Sequence, residues 1–305
     1  MSKPLFIWAG GKNKMLKHYI PLLKKAFEGI DVFDLKKKMH PENYVEPFFG
    51  GGAMFIYIMK TYKPKGVYIN DINPDIMSIY ECIRDYYDEF LKRVEELEKK
   101  YLLCSFEEGA RNEDRRDFYF KTREAYAFDY KKWSKPYESA TLYFLMKTGF
   151  NGIFQINKNT NNRYGTPCGL LNQTKQVFDR EVVKWWHESL QNVNITSGDW
   201  KENTPDVLNA FYFFDPPYRD SFADYGNSFG DDQLIELIDF ADSKDKSFVC
   251  NRDSSDGWFE NHKKSMKMKT FDITYTAGRR KKIEKDGKTS YEAKKAKEVL
   301  LWHMN

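Results

Sequence analysis

Residues 43–71 alternate between short apolar runs and segments suited to a turn or a helix. The run "NYVEPFF" predicts a strand that ends at three glycines, "AMFIYIMKTY" has the apolar spacing of a helix, and "KGVYIND" predicts a second strand ending in Asp71. Strand, glycine turn, helix, strand and acid form the layout of an α/β unit of the nucleotide-binding type. The glycine spacing differs from G-x-G-x-x-G, so a plain strand-to-helix turn is an equal alternative.

Helical segments and a hairpin separate this unit from a second stretch of alternating strands and helices. A long helical stretch, residues 73–101, opens with "NP", a good helix start, and charged helical segments follow it. They lead to "FNGIFQINKNTNNRYGTPCGLL", which predicts a β-hairpin with a polar tip. Strands and helices then alternate again up to the closing run "KEVLLWHMN". We therefore expect an α/β domain in two parts, residues 1–83 and 174–305, with an inserted segment at 84–173.

Composition and charge exclude several classes of protein. The 305 residues suffice for one large or two smaller domains, and 49 Lys and Arg against 45 Asp and Glu give a net charge of +4. That charge permits a nucleic-acid partner without requiring one. The four cysteines lie far apart, form no C-x-x-C pair and have no metal-ligand spacing. With no signal peptide and no long apolar run, we expect a reducing, cytoplasm-like compartment and no membrane association.

Polar residues at three turns are candidates for ligand binding. Asp71 is placed to accept the hydroxyls of a ribose, or alternatively to cap the helix that follows. Lys12 in "FIWAGGKNKM" lacks the spacing of a phosphate loop, so it suits a carboxylate or small polar ligand, or else a solvated turn. In "SGDW", Asp199 could accept a hydrogen bond from an exocyclic amine beside Trp200, a signal that is weak without the others.

The most specific motif is "DPPY" directly after the apolar run "LNAFYFF". An amino group on a heteroaromatic base is a poor nucleophile, because its lone pair is delocalised into the ring. Asp215 can accept one N–H of such a group and the carbonyl of Pro216 the other, which makes the lone pair available. Pro216 and Pro217 fix φ and remove backbone donors, and Tyr218 offers a face for stacking. The alternative is an Asp-Pro-Pro turn that only closes a strand.

Several motifs in a fixed order resemble the Dam-type family of DNA adenine-N6 methyltransferases. They cover nearly the whole chain, with the glycine motif before the D-P-P-Y as in the alpha-order group: "WAGGK", "VEPFFGGGAMF", "NDINPDI", "FNGIF", "SGDW", "FFDPPY", "FADYGNSFGDDQ" and "KEVLLWHMN". The resemblance implies an α/β, Rossmann-like S-adenosylmethionine-dependent methyltransferase fold with a mostly parallel sheet. It makes 1–83 and 174–305 the catalytic domain and 84–173 an inserted helical and β-hairpin target recognition domain.

The resemblance also implies a methyl donor and a substrate. The donor is S-adenosylmethionine, with no metal, and the partner is double-stranded DNA whose target adenine leaves the helix. No obligate protein partner is implied, and the setting is the cytoplasm of a bacterial or phage-infected cell. The implied cofactor residues are Trp8, Gly11, Lys12, Phe48, Gly50, Gly52, Asp71, Asp199, Trp200 and Asp215. The implied catalytic residues are Asp215, Pro216, Pro217 and Tyr218.

The hairpin occupies the place of the segment that reads DNA in this family. We expect DNA contacts from Asn151, Gln155, Asn157, Lys158 and Arg163. In close Dam relatives the position of Gln155 is usually an arginine and that of Ile7 usually a lysine. Because arginine suits guanine and glutamine suits adenine, we hypothesise that the recognition sequence is not simply GATC. The basic segment 279–297, predicted as a loop, either contacts phosphates or is a solvated hairpin.

Two other functions remain open from the sequence. A cytosine-N4 DNA methyltransferase would use the same chemistry, although such enzymes more often carry serine where this chain has Asp215. A non-catalytic DNA-binding module that retains the fold is the other alternative, and the intact D-P-P-Y, glycine motif and Asp71 argue against it.

Overall fold

The structure is a computed structural model that describes residues 2–8, 11–27, 42–219, 229–275, 281–285, 288–292 and 294–304. Two of the family motifs lie partly outside the described residues, namely the middle of "WAGGK" and most of "FADYGNSFGDDQ".

The described residues form an alternating α/β chain, as predicted. The strands β1 to β11 are, in chain order, Asn43–Glu46, Gly66–Asp71, Ile156–Asn157, Arg163–Tyr164, Val193–Ser197, Ala210–Phe214, Lys246–Asp253, Lys267–Tyr275, Lys281–Lys285, Lys288–Glu292 and Lys294–Met304. The helices α1 to α10 are Leu16–Phe27, Ala53–Thr61, Pro74–Asp85, Tyr87–Leu103, Glu113–Phe128, Lys135–Thr148, Arg180–Leu190, Trp200–Asn203, Asp231–Asp242 and Trp258–His262. Short 3₁₀ helices lie at Lys12–Lys14, Tyr130–Lys132, Phe150–Gly152 and Lys158–Thr160.

Seven strands form one mostly parallel sheet in the order β5-β2-β1-β6-β7-β11-β8. The pairs from β5 to β7 are parallel, whereas β11 is antiparallel to both β7 and β8. Six strands therefore share one direction and β11 runs against them. The predicted α/β fold with a mostly parallel, Rossmann-like sheet is confirmed.

The core lies on both faces of this sheet. All five residues of β6, "AFYFF", are buried, and they alternate between two hydrophobic clusters. Phe211 and Phe213 face the cluster that includes α1, α3 and α6, while Tyr212 and Phe214 face α9. A strand covered on both faces must be apolar throughout, which explains why this segment carries no charge before Asp215.

The long helical stretch predicted over residues 73–101 is two helices. Asn73 caps α3 by accepting the backbone N–H groups of Asp75 and Ile76, so the predicted helix start is confirmed. The prediction of one continuous stretch is wrong, because Tyr86 leaves the helical conformation at φ −132° and ψ 43°. The break lets α3 pack against α6, α7 and β5, while α4 packs mainly against α6.

The predicted recognition hairpin is present but short. β3 and β4 pair antiparallel over two residues each, with Ile156 opposite Tyr164 and Asn157 opposite Arg163. Helices α4, α5 and α6 and this hairpin lie between β2 and β5 in the chain and add no strand to the seven-stranded sheet within the described ranges.

The basic segment predicted as a loop at 279–297 contains regular structure. Strands β9 and β10 pair antiparallel over five residues each, and β11 begins at Lys294. Where it is described, the segment is therefore not an irregular loop but a hairpin, as the second of the two alternatives predicted, and contact with phosphates stays a prediction. Residues 279–280, 286–287 and 293 lie outside the described residues.

Candidate active site

A cavity of about 530 Å³ opens at the carboxyl ends of β1, β2, β5 and β6. The strand order reverses between β1 and β6, and in open α/β sheets ligands bind outside the carboxyl ends at such a point. The cavity is lined by all thirteen residues predicted for the cofactor and for catalysis: Trp8, Gly11, Lys12, Phe48, Gly50, Gly52, Asp71, Asp199, Trp200, Asp215, Pro216, Pro217 and Tyr218. Their roles stay predictions, but their assembly in one place follows from the parallel sheet.

The glycine turn after β1 allows close contact between backbone and side chains. Gly50 and Gly52 have φ of +48° and +64°, a region that favours glycine. A Cβ at Gly50 would come within 2.5 Å of Trp8 Nε1, so the indole of Trp8 lies directly against this turn. A Cβ at Gly52 would meet Trp186 and Phe49 at 2.7 and 2.8 Å. The turn therefore fixes one aromatic wall of the cavity.

Asp71 is held by the backbone at the end of β2. Its Oδ2 accepts the N–H of Gly50 at 2.8 Å and its Oδ1 accepts the N–H of Asn73 at 3.0 Å. Burial raises the pKa of this carboxyl, and the two N–H groups act in the opposite direction. Asn73 rather than Asp71 caps α3, so the helix-cap alternative for Asp71 is wrong. Each carboxylate oxygen can accept more than one hydrogen bond, which leaves capacity for hydroxyl groups.

The "SGDW" segment places an aromatic ring inside the cavity and an acid at its rim. Trp200 is buried and packs against Phe48 with 6.2 Å between ring centroids. Asp199 is exposed and caps the short helix α8 by accepting the N–H of Lys201 at 2.9 Å. Asp199 therefore stabilises the start of α8, while its predicted hydrogen bond from an exocyclic amine stays a prediction.

Lys12 is buried against the D-P-P-Y motif. Its side chain is only 3% exposed, and its Nζ donates to Asp215 Oδ1 at 2.5 Å and to the hydroxyl of Tyr218 at 3.0 Å. Burial would lower the pKa of Lys12, but the carboxylates of Asp215 and Glu298 outweigh burial and raise it. For Asp215, burial raises the pKa to about 6, although Lys12 acts to lower it. An ammonium and a carboxylate thus lie side by side in the wall of the cavity.

Two residues behind the motif were missed by sequence reasoning. Glu298 on β11 accepts the hydroxyl of Tyr218 at 2.5 Å. Asn251 on β7 donates its side-chain amide to the carbonyl of Pro217 at 3.4 Å and accepts the N–H of Arg219 at 3.1 Å. A signal existed for both, since each is a polar residue in an apolar strand segment, "FVCN" and "KEVLLW". A buried polar side chain needs a partner, and here the partners belong to the D-P-P-Y elbow.

The elbow is also anchored on its far side. The guanidinium of Arg219 pairs with both oxygens of Asp231, at the start of α9, and with Asp256. It lies over the ring of Trp258 at 4.8 Å. The turn that carries Asp215 is therefore fixed by side chains from α9 and from the loop before α10.

The residues predicted to contact DNA do not line the cavity. Asn151, Gln155 and Lys158 are exposed on the 3₁₀ turns and the hairpin. Asn157 is partly buried and its side chain accepts the N–H of Asn159 at 2.8 Å, so it also shapes the hairpin turn.

Arg163 differs from the other hairpin residues. Its side chain is 11% exposed and pairs with Glu138 and, at 3.8 Å, with Asp75. The guanidinium lies over the rings of Tyr126 and Tyr130 at 4.2 and 3.9 Å. Arg163 therefore joins β4 to helices α3 and α6 and points away from solvent.

Ile7 connects the cavity to the hairpin segment. Its side chain is 67% exposed and lines the cavity mouth. A Cβ at Gly152 would come within 2.5 Å of the Ile7 Cβ and 2.8 Å of its carbonyl oxygen. The two positions on which the recognition hypothesis depends, Ile7 and Gln155, are thus connected through the contact between Ile7 and Gly152, three residues before Gln155.

Within the described ranges, no group of three or more His, Cys, Asp or Glu side chains could hold a metal ion. Every helix in the described part of the chain is too short or too polar to cross a lipid bilayer.

Comparison with known proteins assigns the chain to a family. The family model of D12 class N6 adenine-specific DNA methyltransferases matches residues 8–288. The Type II methyltransferase M.MjaIII of Methanocaldococcus jannaschii is 32% identical over 252 residues, which cover 80% of this chain and 81% of that protein. The Type II methyltransferase M.CviBI of Paramecium bursaria Chlorella virus NC1A is 25% identical, covering 78% of each chain. The DNA adenine methylase of Escherichia coli K12 is 24% identical, covering 91% of each.

These matches confirm the predicted Dam-type relationship and the predicted reaction class, methylation of adenine in DNA. They favour adenine methylation over the alternatives of cytosine-N4 methylation and of a non-catalytic module. The chain belongs to the family of D12 class N6 adenine-specific DNA methyltransferases.

Proposed function

We propose that the chain transfers a methyl group from S-adenosylmethionine to N6 of an adenine that has been turned out of double-stranded DNA. The observation that carries this proposal is the position of Asp215. Its carboxylate follows a fully buried strand, precedes two prolines and lines the 530 Å³ cavity. The cavity lies within the usual size range for small-molecule sites, about 300–1,000 Å³.

The residues around the cavity fit this cofactor. The indoles of Trp8 and Trp200 and the ring of Phe48 offer apolar faces for the adenine and methionine parts. Asp71 retains acceptor capacity for the two ribose hydroxyls. Lys12 borders the same cavity, with its ammonium paired to Asp215, and we assign it to the boundary between cofactor and target base. Gly11, Gly50 and Gly52 leave space for close approach of the ligand, and Asp199 borders it. When bound, S-adenosylmethionine supplies an activated methyl group, and we assign no metal to the reaction.

Asp215 and Pro216 are assigned to the target amine. The carboxylate accepts one N–H of N6 and the Pro216 carbonyl the other, so the nitrogen lone pair is released from the ring. Pro217 holds this carbonyl in place, and Tyr218 presents its face to the extruded base. Asp215 accepts most strongly when it is ionised, because both of its oxygens are then acceptors and the hydrogen bond is charge-assisted. Its pKa of about 6 leaves it largely ionised above neutral pH.

We infer that residues 84–173 form the target recognition segment. Support comes from the exposed polar side chains of Asn151, Gln155 and Lys158, with Asn157 shaping the turn beside them. Arg163 receives a different role, because its guanidinium is committed to Glu138 and Asp75. We assign Arg163 to holding the hairpin on α3 and α6 rather than to reading DNA.

We propose further that the recognition sequence is not plain GATC. Ile7 is exposed at the mouth of the cavity, and Gln155 is exposed on the hairpin segment. Neither side chain can supply the positive charge that is usual at these positions in close Dam relatives, and glutamine pairs well with adenine in the major groove.

Labelled methyl transfer to unmethylated plasmid, followed by nucleoside analysis, tests the reaction. We expect N6-methyladenine, and a loss of at least about a hundredfold in kcat for Asp215→Ala. Asp206→Ala is the matched control, because Asp206 is an exposed acid that precedes the same strand at its opposite end. Label transfer by Asp215→Ala at the unaltered rate would contradict the proposed role of Asp215.

Long-read sequencing of the methylated plasmid tests the recognition sequence in the same reactions. We expect modified adenines in a motif other than GATC, and a changed motif for the double variant Ile7→Lys, Gln155→Arg. Modification confined to GATC would refute the recognition proposal and leave the reaction itself intact.

A further inference from the structure

Glu298 lies in a strand segment where a carboxylate is costly. It is 1% exposed and is followed by the buried residues Val299, Leu300 and Leu301. β11 runs between β7 and β8, so Glu298 stands between Arg252 and Phe271 in the sheet. A charge removed from water must be compensated by hydrogen bonds and an opposite charge, or the fold is weakened.

The partners of Glu298 are residues of the candidate active site. Its Oε1 accepts the hydroxyl of Tyr218 at 2.5 Å, and its Oε2 lies 4.0 Å from the Nζ of Lys12. Lys12 in turn donates to Tyr218 and to Asp215. The four side chains form one connected network in which a single ammonium stands between two carboxylates.

We propose that Glu298 is a positioning residue for methyl transfer. It holds the hydroxyl end of Tyr218, which fixes the ring face offered to the target base, and it holds the Lys12 ammonium beside Asp215. This inference rests on the proposed roles of Asp215 and Tyr218.

The geometry explains why the tether matters. A tyrosine ring can turn about its side-chain bonds, and a hydrogen bond at the hydroxyl, its far end, removes most of that freedom. Pre-organised geometry of this kind lowers the entropic cost of bringing the base to the reacting atoms. The Lys12 ammonium is fixed in the same way, because it donates hydrogen bonds to Asp215 and to the hydroxyl of Tyr218.

The charge of Glu298 also acts on Asp215. The titratable groups facing Asp215 are Lys12 from the first 3₁₀ helix, Glu298 from β11, Glu46 from β1, Cys250 from β7, Tyr19 from α1 and the neighbouring Tyr218. Of the two nearest charges, Lys12 lowers the pKa of Asp215 and Glu298 raises it. Removing the Glu298 charge should therefore lower the pKa of Asp215 and extend activity to more acidic pH.

Glu298→Gln and Glu298→Ala separate the two effects. The amide can still accept the Tyr218 hydroxyl, so Glu298→Gln should move the acid limb of the pH profile of kcat to lower pH. Glu298→Ala also loses the hydrogen bond, and its kcat should fall about ten- to hundredfold. DNA carrying 2-aminopurine at the target position should show a changed fluorescence for Glu298→Ala, because the extruded base no longer stacks on an oriented ring.

Glu98→Gln is the matched control. Glu98 is also a buried carboxylate, but it pairs with Arg180 and accepts the N–H of Val177 away from the cavity. We expect it to lower the melting temperature without moving the acid limb.

A double-mutant cycle with Tyr218→Phe supplies a test that tolerates some loss of stability. If Glu298 acts through Tyr218, replacing it should cost less in the Tyr218→Phe background than in the unaltered enzyme. An unchanged acid limb for Glu298→Gln together with additive effects in the cycle would overturn the proposal. If the Glu298 tests fail while Asp215→Ala is inactive in the same assays, only the role of Glu298 is refuted and the proposed function is retained. An active Asp215→Ala would refute both the role of Glu298 and the proposed role of Asp215.

Discussion

The Nζ of Lys12 lies 2.5 Å from Oδ1 of Asp215, so the carboxylate assigned to the target amine is already paired with an internal cation. This pairing opposes the effect of burial on Asp215, whose pKa nevertheless rises to about 6. The ammonium therefore keeps Asp215 ionised in the pH range where it must accept a hydrogen bond.

We expect Lys12→Met to move the acid limb of kcat to higher pH. Without the cation, the pKa of Asp215 rises above about 6, and a larger share of the carboxyl is protonated at neutral pH. The measurement is the pH profile of kcat at saturating cofactor, because Lys12→Met should also weaken cofactor binding. The shift is opposite in sign to that expected for Glu298→Gln, and shifts of both variants in the same direction would contradict this account.

We expect Gly50→Ala to lower both stability and cofactor affinity. The substitution forces a left-handed φ on alanine and drives its Cβ to 2.5 Å from Trp8 Nε1, so the indole must move. The first effect costs about 1–2 kcal/mol and the overpacking about 1–3 kcal/mol more. Thermal melts and equilibrium dialysis with S-adenosylmethionine measure the two consequences.

Gly109→Ala is the control for that experiment. Gly109 has φ of +79°, but a Cβ at this position would meet nothing within 4 Å, and the residue lies between α4 and α5. It should show the backbone cost alone and leave cofactor affinity unchanged. Equal losses of affinity in both variants would refute the contact between Gly50 and Trp8 as the cause.

We expect Arg163→Met and Lys158→Met to separate folding from DNA binding in the hairpin. Without the Arg163 guanidinium, the carboxylates of Glu138 and Asp75 lose their ion pairs with it, and the free energy of unfolding should fall by about 3 kcal/mol. Lys158 is exposed, so its replacement should leave stability unchanged and reduce the salt dependence of DNA affinity by about one unit of slope. If Arg163→Met were as stable as the unaltered protein but bound DNA more weakly, the structural role of Arg163 would be wrong and a direct DNA contact would be supported.

Much of the candidate site could be predicted because its residues follow local patterns. The glycines after β1, Asp71 after β2 and the D-P-P-Y after β6 each stand at the end of a recognisable strand. Parallel pairing then brings the carboxyl ends of these strands to one edge of the sheet. Local sequence patterns therefore indicate these three parts of the site, whereas Trp8 and Phe48 were implied only by the resemblance to the Dam-type family.

The parts that could not be predicted depend on tertiary contacts. Glu298 reaches Tyr218 through the antiparallel pairing of β11, eighty positions along the chain from its partner, and no local pattern sets that register. The break at Tyr86 has no glycine or proline to signal it. Both helices pack on α6, but α3 also packs on α7 and β5, and this tertiary arrangement accompanies the break. Arg163 could equally have faced solvent, and its direction is decided by Glu138 and two tyrosine rings.

The last prediction concerns Glu46, which is 2% exposed and lines the cavity at the end of β1. Burial raises the pKa of this carboxyl well above its ordinary value of 4.5, while the hydroxyl of Tyr44, which donates to Oε2 at 2.6 Å, acts to lower it. A carboxyl with a raised pKa in the folded state stabilises the fold at low pH, and this contribution is lost as pH rises from the ordinary value towards the raised one.

Glu46→Gln removes this titration, because an amide stays neutral at every pH. The free energy of unfolding of Glu46→Gln, relative to the unaltered protein, should increase with pH above about 5, by at most about 1.4 kcal/mol per pH unit. Tyr44→Phe should act in the opposite direction, since loss of the donated hydrogen bond raises the pKa of Glu46 further and extends the decline of stability to higher pH. Urea unfolding at a series of pH values measures both slopes. Parallel stability curves for Glu46→Gln and the unaltered protein would show that Glu46 is ionised in the fold and that its burial is compensated by other groups.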